Sequence, residues 1–133
     1  MKSVVLDSYA LIAYLNKEQG YDKVSEIFEK CVDADQYALM CVVNMGEVYY
    51  HALRVGGEHK ARLVLEIVKA LPIDLVEANI NLTLQAAEYK AFNKISYADA
   101  YAAALAKMKK AQLVTGDKEF KSLGNDIKIL WLT

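Results

Sequence analysis

Four carboxylates stand where short apolar runs give way to helical patterns. Asp7 closes Val4-Val5-Leu6, Glu47 falls in the first turn after the apolar run Tyr37 to Val43, Asp117 follows Val114-Thr115-Gly116, and Asp99 lies just inside the helical stretch that opens at Tyr97. Brought together, four such groups repel one another unless protons or a cation neutralise them. Oxygen ligands with no neighbouring His suit a hard ion, Mg²⁺ or Mn²⁺, which in such a setting lowers the pKa of a bound water. Each acid also has a structural role open to it. Asp7 has the position of a helix N-cap, Asn44 with Glu47 and Ser96 with Asp99 have capping-box spacing, and Asp117 after Gly116 suits a turn. What separates the two readings is whether the fold gathers the four on one surface.

The elements carrying these acids alternate between short β-branched runs and longer helical stretches, the pattern of an α/β fold. Strands are predicted at Ser3–Leu6, Tyr37–Val43, Ile73–Val76, Gln112–Thr115 and Ile127–Leu132. Helices are predicted at Ser8–Asn16, Tyr21–Asp33, Asn44–Val55, Glu58–Lys69, Ala78–Phe92 and Tyr97–Lys110, with a helical turn or two in Asp117–Leu123. Gly56-Gly57 stops the third helix and Pro72 follows the fourth. Near-continuous apolar strands suit a parallel five-stranded sheet covered on both faces, a three-layer α/β/α sandwich; strand order stays open. In a parallel sheet every strand-to-helix junction lies at the carboxyl edge, so Asp7, Glu47 and Asp117 share a rim. Asp99 joins them through helix length. Tyr97 to Lys110 spans roughly 21 Å at about 1.5 Å per residue and feeds the next strand from its amino edge, so its first turn points back to the same rim.

A chain of 133 residues predicts a single domain, 1–133. With 55% hydrophobic residues and one Pro, extensive disorder is excluded. Sixteen Lys and Arg against seventeen Asp and Glu leave a net charge of −1, so a polyanion must be held by a local patch or through metal. The longest apolar runs, Tyr9–Leu15, Tyr37–Val43 and Ala100–Ala106, are far shorter than the ~20 residues a bilayer requires. Asp7 also interrupts the first apolar run before a secretory leader could build, which predicts a cytoplasmic protein. Cys31 and Cys41 lack metal-ligand spacing and are expected to be reduced thiols. His51 and His59 have no catalytic partners nearby in sequence and read as surface or packed residues.

Four motifs, Val4-Val5-Leu6-Asp7-Ser8, Asn44-Met45-Gly46-Glu47, Tyr97-Ala98-Asp99-Ala100 and Val114-Thr115-Gly116-Asp117-Lys118-Glu119-Phe120, occur in an order and spacing that resembles a PIN-domain ribonuclease. The likeness is to the small stand-alone kind represented by VapC toxins, and it runs over essentially the whole chain. It implies the PIN-like α/β/α sandwich and an acidic pocket binding one or two Mg²⁺ or Mn²⁺ ions. It further implies hydrolysis of phosphodiester bonds in single-stranded or structured RNA, and the role of toxin in a toxin–antitoxin pair. Under this resemblance Asp7 and Asp99 are direct ligands, Asp117 binds one ion or its waters, and Glu47 is a ligand or a water-orienting base. Asn44 and Thr115 become their hydrogen-bonding neighbours. The implied partner is a small antitoxin that lays a segment over the rim and inserts a basic side chain among the acids. Two details depart from the family pattern. A hydroxyl residue is often found two places after the first acid, where this chain has Tyr9 and carries Ser8 instead, and Asn44 fills a slot often held by Ser or Thr.

Other folds with acids at the carboxyl edge fit less well. A haloacid-dehalogenase-type phosphatase needs a second Asp where Tyr9 stands, and a phosphoacceptor receiver needs an acid pair after the first strand and a late Lys-Pro, whereas Pro72 is the only proline. The remaining alternative is a PIN-like scaffold that binds protein or RNA without cutting. Lys90, Lys94, Lys118 and Lys121, with Tyr49, Tyr50 and Tyr97, lie near the acidic motifs in sequence and are candidates to hold RNA. Tyr9–Leu15 is apolar around most of a helical circumference. Together with Tyr21–Asp33 it suggests a homodimer or antitoxin surface, unless it is sandwiched between the sheet and that second helix.

Overall fold

A computed structural model describes residues 1–133. In chain order the elements are β1 (Val4–Leu6), α1 (Ser8–Leu15), α2 (Tyr21–Ala34), β2 (Ala38–Cys41), α3 (Val42–Ala70), β3 (Ile73–Val76), α4 (Ile80–Phe92), α5 (Tyr97–Lys109), β4 (Gln112–Thr115), a 3-10 turn (Lys118–Leu123) and β5 (Ile129–Trp131). All strand pairs are parallel, in the order β3-β2-β1-β4-β5. The chain builds outward from β1 to β2 and β3, then returns to lay β4 on the other flank of β1. The order therefore reverses between β1 and β4, the kind of crevice in which open α/β sheets bind ligands. Asp7 leaves β1 and Thr115 ends β4 at that point.

Alternation along the strands divides the core into layers. Val4, Leu6, Ala38 and Val114 pack against α1 and α2 through Ala10, Val24, Ile27 and Phe28. Val5, Cys41 and Leu113 face the opposite way, against α4 and α5. Met40 joins Leu11 and the α3 residues Val48, Ala52 and Val64. On α5 every residue from Asp99 to Ala106 is buried. Its alanines, with no bulk beyond Cβ, let this helix lie against β1, β2 and β4 while α3 and α4 close on it from outside. No helix is long and apolar enough to cross a membrane.

Two local expectations are corrected, one is borne out and one open alternative is decided. Val42 and Val43, read as strand, are the first helical residues of α3, so the strand ends at Cys41. Gly57 breaks the helix as expected (φ 76°, ψ −170°), so α3 is two helical segments, the second running to Ala70. β3 is an edge strand with Asp74 and Leu75 exposed, not a strand buried on both faces. Finally, α1 is enclosed. Ala10, Leu11 and Ala13 are buried, Tyr14 stacks on Tyr21 with ring centroids 5.2 Å apart and meets Phe28 edge-on at 4.8 Å, and α2 and α3 both pack on it. α1 therefore offers no broad apolar face to a second copy of the chain. Exposed apolar side chains lie on α2, at Val32, on α4, at Ile80, Leu84 and Phe92, and on α3, at Val55, Leu63 and Ile67.

Candidate metal centre

Asp7 occupies the centre of the rim and is only 1% exposed. It caps α1, with Oδ1 accepting the Ala10 N–H at 2.8 Å, while Oδ2 accepts the Thr115 hydroxyl. The structural role and membership of the acidic rim thus coincide, each served by one oxygen. Burial pushes the carboxyl up to about 7, aided by the charges of Asp117 and Glu47 and opposed by its two hydrogen bonds.

Thr115 connects the two sides of the crevice. Its hydroxyl donates to Asp7, and its oxygen accepts the Asp117 N–H at 3.0 Å. Asp117 in turn caps the 3-10 turn, its Oδ1 accepting the Glu119 N–H at 2.9 Å. Gly116, between them, has no room for a side chain, since a Cβ would lie 2.5 Å from Tyr9 Cζ. Gly116→Ala is expected to displace the ring and destabilise the protein by about 1–3 kcal/mol. Gly116→Ala/Tyr9→Ala should recover part of the loss of Gly116→Ala relative to Tyr9→Ala. Thermal melts of the three variants check this, and additive losses would show that the ring is not what excludes the methyl.

Asp99 reaches the rim from α5, whose N-cap Ser96 accepts the Asp99 N–H at 3.1 Å. It is 5% exposed. Burial raises its carboxyl to about 8, with further contributions from Asp117, Asp7 and Glu47. The same neighbours thus act on Asp7 and Asp99, as expected of acids sharing one rim. The one group whose carboxylate oxygens lie within 4.8 Å of one another is Asp99, Asp117 and Glu119; Asp7 and Glu47 lie outside it. Glu119 was missed by sequence reasoning. Its signal was the Asp117-Lys118-Glu119 spacing at the start of a helical turn.

Glu47 projects from α3 and is partly buried, its Oε1 accepting from Ser8 Oγ at 2.9 Å and from Asn44 Nδ2 at 3.4 Å. Ser8, one residue past Asp7, therefore brings a hydroxyl to the rim although the usual position holds Tyr9. Asn44 is fully buried and donates to the Ala98 carbonyl at 3.0 Å, tying α3 to the start of α5. Its expected capping role is corrected. The N-cap of α3 is Cys41, without a side-chain hydrogen bond, and Asn44 lies inside the first turn, one helical step from Glu47. Asn44 Oδ1 is buried with no hydrogen-bond partner. No basic side chain pairs with the rim acids, because the three ion pairs are Lys30–Glu26, Lys69–Glu66 and Lys107–Asp126. Of the lysines considered for RNA, Lys90 is engaged by the Ile95 carbonyl at 2.8 Å.

The family model described as the PIN domain matches residues 4–126. No curated protein sequence matches the chain. Among solved structures, the fold is similar to DNA-bound VapBC from Salmonella typhimurium (TM-score 0.78, 16% identity, 100% of both chains covered). It is also similar to VapBC2 from Rickettsia felis bound to a promoter DNA fragment (0.77, 16%, 96% of both chains). A third is Mycobacterium tuberculosis VapC20, described as a sarcin-ricin loop cleaving toxin (0.73, 17%, 92% of this chain and 95% of that one). These identities speak to fold alone. The family match, by contrast, runs from the first strand through the turn that carries Asp117 and Glu119, and on that match this chain belongs to the PIN-domain family.

Proposed function

We propose that the protein is a divalent-metal-dependent endoribonuclease that hydrolyses phosphodiester bonds of single-stranded RNA and acts as the toxin of a toxin–antitoxin pair. The observation that carries this reading is the gathering of Asp7, Glu47, Asp99 and Asp117 around the β1/β4 crevice with no basic partner, so that protons or a cation must balance them. The donor set fits a hard ion, Mg²⁺ or Mn²⁺. It is all oxygen, and the buried Asn44 Oδ1 stands beside it without a donor. Such an ion supplies Lewis-acid chemistry, lowering the pKa of water and offsetting charge on a phosphodiester. Asp7 and Asp99 are the principal ligands in this reading, with Asp117 and Glu119 completing the set from the 3-10 turn. Thr115 fixes the Asp7 carboxylate, and Ser8 with Asn44 holds Oε1 of Glu47, leaving Oε2 for a ligand or a water proton.

The partner is a small antitoxin whose basic side chain neutralises the same acids, a role supported by the VapBC complexes that share the fold. The two free, buried cysteines accord with work in the reducing cytoplasm. Incubation with a mixed single-stranded RNA pool, with and without Mg²⁺ or Mn²⁺, tests the activity. Cleavage is expected only with metal, and is expected to be lost in Asp7→Asn and Glu47→Gln. Metal binding without cleavage would favour the scaffold, and undiminished cleavage by Asp7→Asn/Asp99→Asn would refute the site.

A further inference from the structure

We infer that the outer edge of the sheet, along β5, is a groove that binds single-stranded RNA and leads it toward the acidic rim; this rests on the ribonuclease reading. Two concavities, about 670 and 340 Å³, adjoin there and share Ile127 and Lys128 as lining. Their unpaired cationic walls are Lys110, Lys121 and Lys128, all exposed, with Lys107 beside them in an ion pair. The one carboxylate lining them, Asp126, is already engaged by Lys107 Nζ at 3.0 Å and by the Tyr89 hydroxyl at 2.5 Å. In a chain of net charge −1, this is a local basic surface of the kind a polyanion needs.

The floor is apolar and aromatic. Ile129 and Trp131 sit two residues apart on one face of β5 and pack only partly against the α4/α5 layer, so the Trp131 ring is half-buried at the groove. An indole beside lysines is the combination that stacks bases while phosphates are neutralised. The groove runs from Lys107, Lys110 and Lys128, at the amino edge of the sheet, to Trp131 at the carboxyl end of β5, and no rim acid lines it. Trp131 pairs in register with Thr115, whose hydroxyl holds Asp7, and Lys121 belongs to the turn that Asp117 caps.

A peptide strand added to this edge is the competing occupant, and the edge suits it poorly. β5 is three residues long. Lys128 and Leu132 bond inward to β4, which by alternation turns the polar groups of Ile129 and Trp131 outward, and the Trp131 carbonyl already accepts Lys23 Nζ at 3.0 Å.

Trp131 is the only tryptophan, so its fluorescence reports on the groove directly. The probe is a mixed-sequence single-stranded RNA of about twelve nucleotides, within the span such grooves hold, titrated in chelator so that no cleavage intervenes. Emission is expected to be quenched, and Trp131→Phe is expected to weaken binding. Lys121→Gln/Lys128→Gln should bind about tenfold more weakly and lower the slope of log affinity against log salt by about 1.4, two phosphate contacts at about 0.7 each. With metal present, the same double variant should raise KM and leave kcat unchanged. Unchanged Trp131 emission, or a double variant with wild-type salt slope and KM, overturns the groove while leaving cleavage by the wild type intact. Quenching by an acidic peptide but not by RNA likewise overturns it. Absence of wild-type cleavage with metal refutes the ribonuclease reading on which the groove rests, a result distinct from both.

Discussion

Asp99→Asn is expected to melt higher than the wild type in chelator at about pH 8 and to lose the metal-dependent cleavage proposed for the wild type. Asp99 is buried, and burial followed by the Asp117, Asp7 and Glu47 charges raises its carboxyl from 3.8 to about 8. Between those values the folded protein keeps a proton that the unfolded chain releases. The stabilisation is therefore full below about pH 3.8 and is lost as pH rises through about 8. Asp7, raised to about 7, adds a second loss in the same direction. Asn keeps the shape of the side chain without the titration, so the advantage of the variant grows as pH rises. Against this stands the loss of a carboxylate from the first turn of α5, about 0.3–1 kcal/mol from the helix dipole, an interaction screened by salt. Added Mn²⁺ should stabilise the wild type more than the variant, because only binding to the folded state shifts the equilibrium. Melting curves from about pH 5 to about pH 9, with and without metal, check each part. Equal pH slopes for both proteins, or a variant that melts lower in chelator and gains equally from metal, would make Asp99 a structural helix residue only.

Phe120→Ala is expected to have the largest effect on stability and to disturb the acidic rim without touching an acid. Phe120 is fully buried between Glu119 and Lys121 in the 3-10 turn and belongs to the α4/α5 core. Truncating a buried Phe costs about 3–5 kcal/mol, a fall in melting temperature of roughly 10–20 °C for a chain of this size. Because the same turn presents Asp117 and Glu119, its loosening should also weaken divalent affinity at temperatures where the variant is still folded. Calorimetric melts and a Mn²⁺ titration on one sample separate the two losses. Wild-type metal affinity in a destabilised Phe120→Ala protein would show that the turn does not position those acids.

The strands and the shared rim were legible because the parallel α/β pattern places strand ends on one edge whichever strands pair. Strand order was not, since the β1–β4 pairing joins segments over a hundred residues apart, as in Val5 with Leu113. Val42 and Val43 carry β-branched propensity into the first turn of α3, where Val43 packs against the α4/α5 layer, and this tertiary contact overrides the local preference. The misplaced boundary is what made Asn44 look like a cap. Ser8 and Glu119 escaped because their roles depend on how a helix and a 3-10 turn aim them, which spacing alone does not give. The apolar circumference of α1 signalled burial, and α3, packing through residues on both sides of Gly57, encloses it on the side away from α2.

The central claim is that the rim acids hold a divalent cation. Calorimetric titration of Mn²⁺ into the wild type and into Asp7→Asn/Asp99→Asn, at a pH just below the two carboxyl values of about 7 and about 8, tests it most directly. Saturable binding to the wild type is expected, with proton release that shows as an enthalpy varying with the ionisation heat of the buffer, since the ion must displace protons held by those two groups. The double variant should show no saturable binding. Saturable binding of the same strength to the double variant, or none to the wild type, would contradict the assignment.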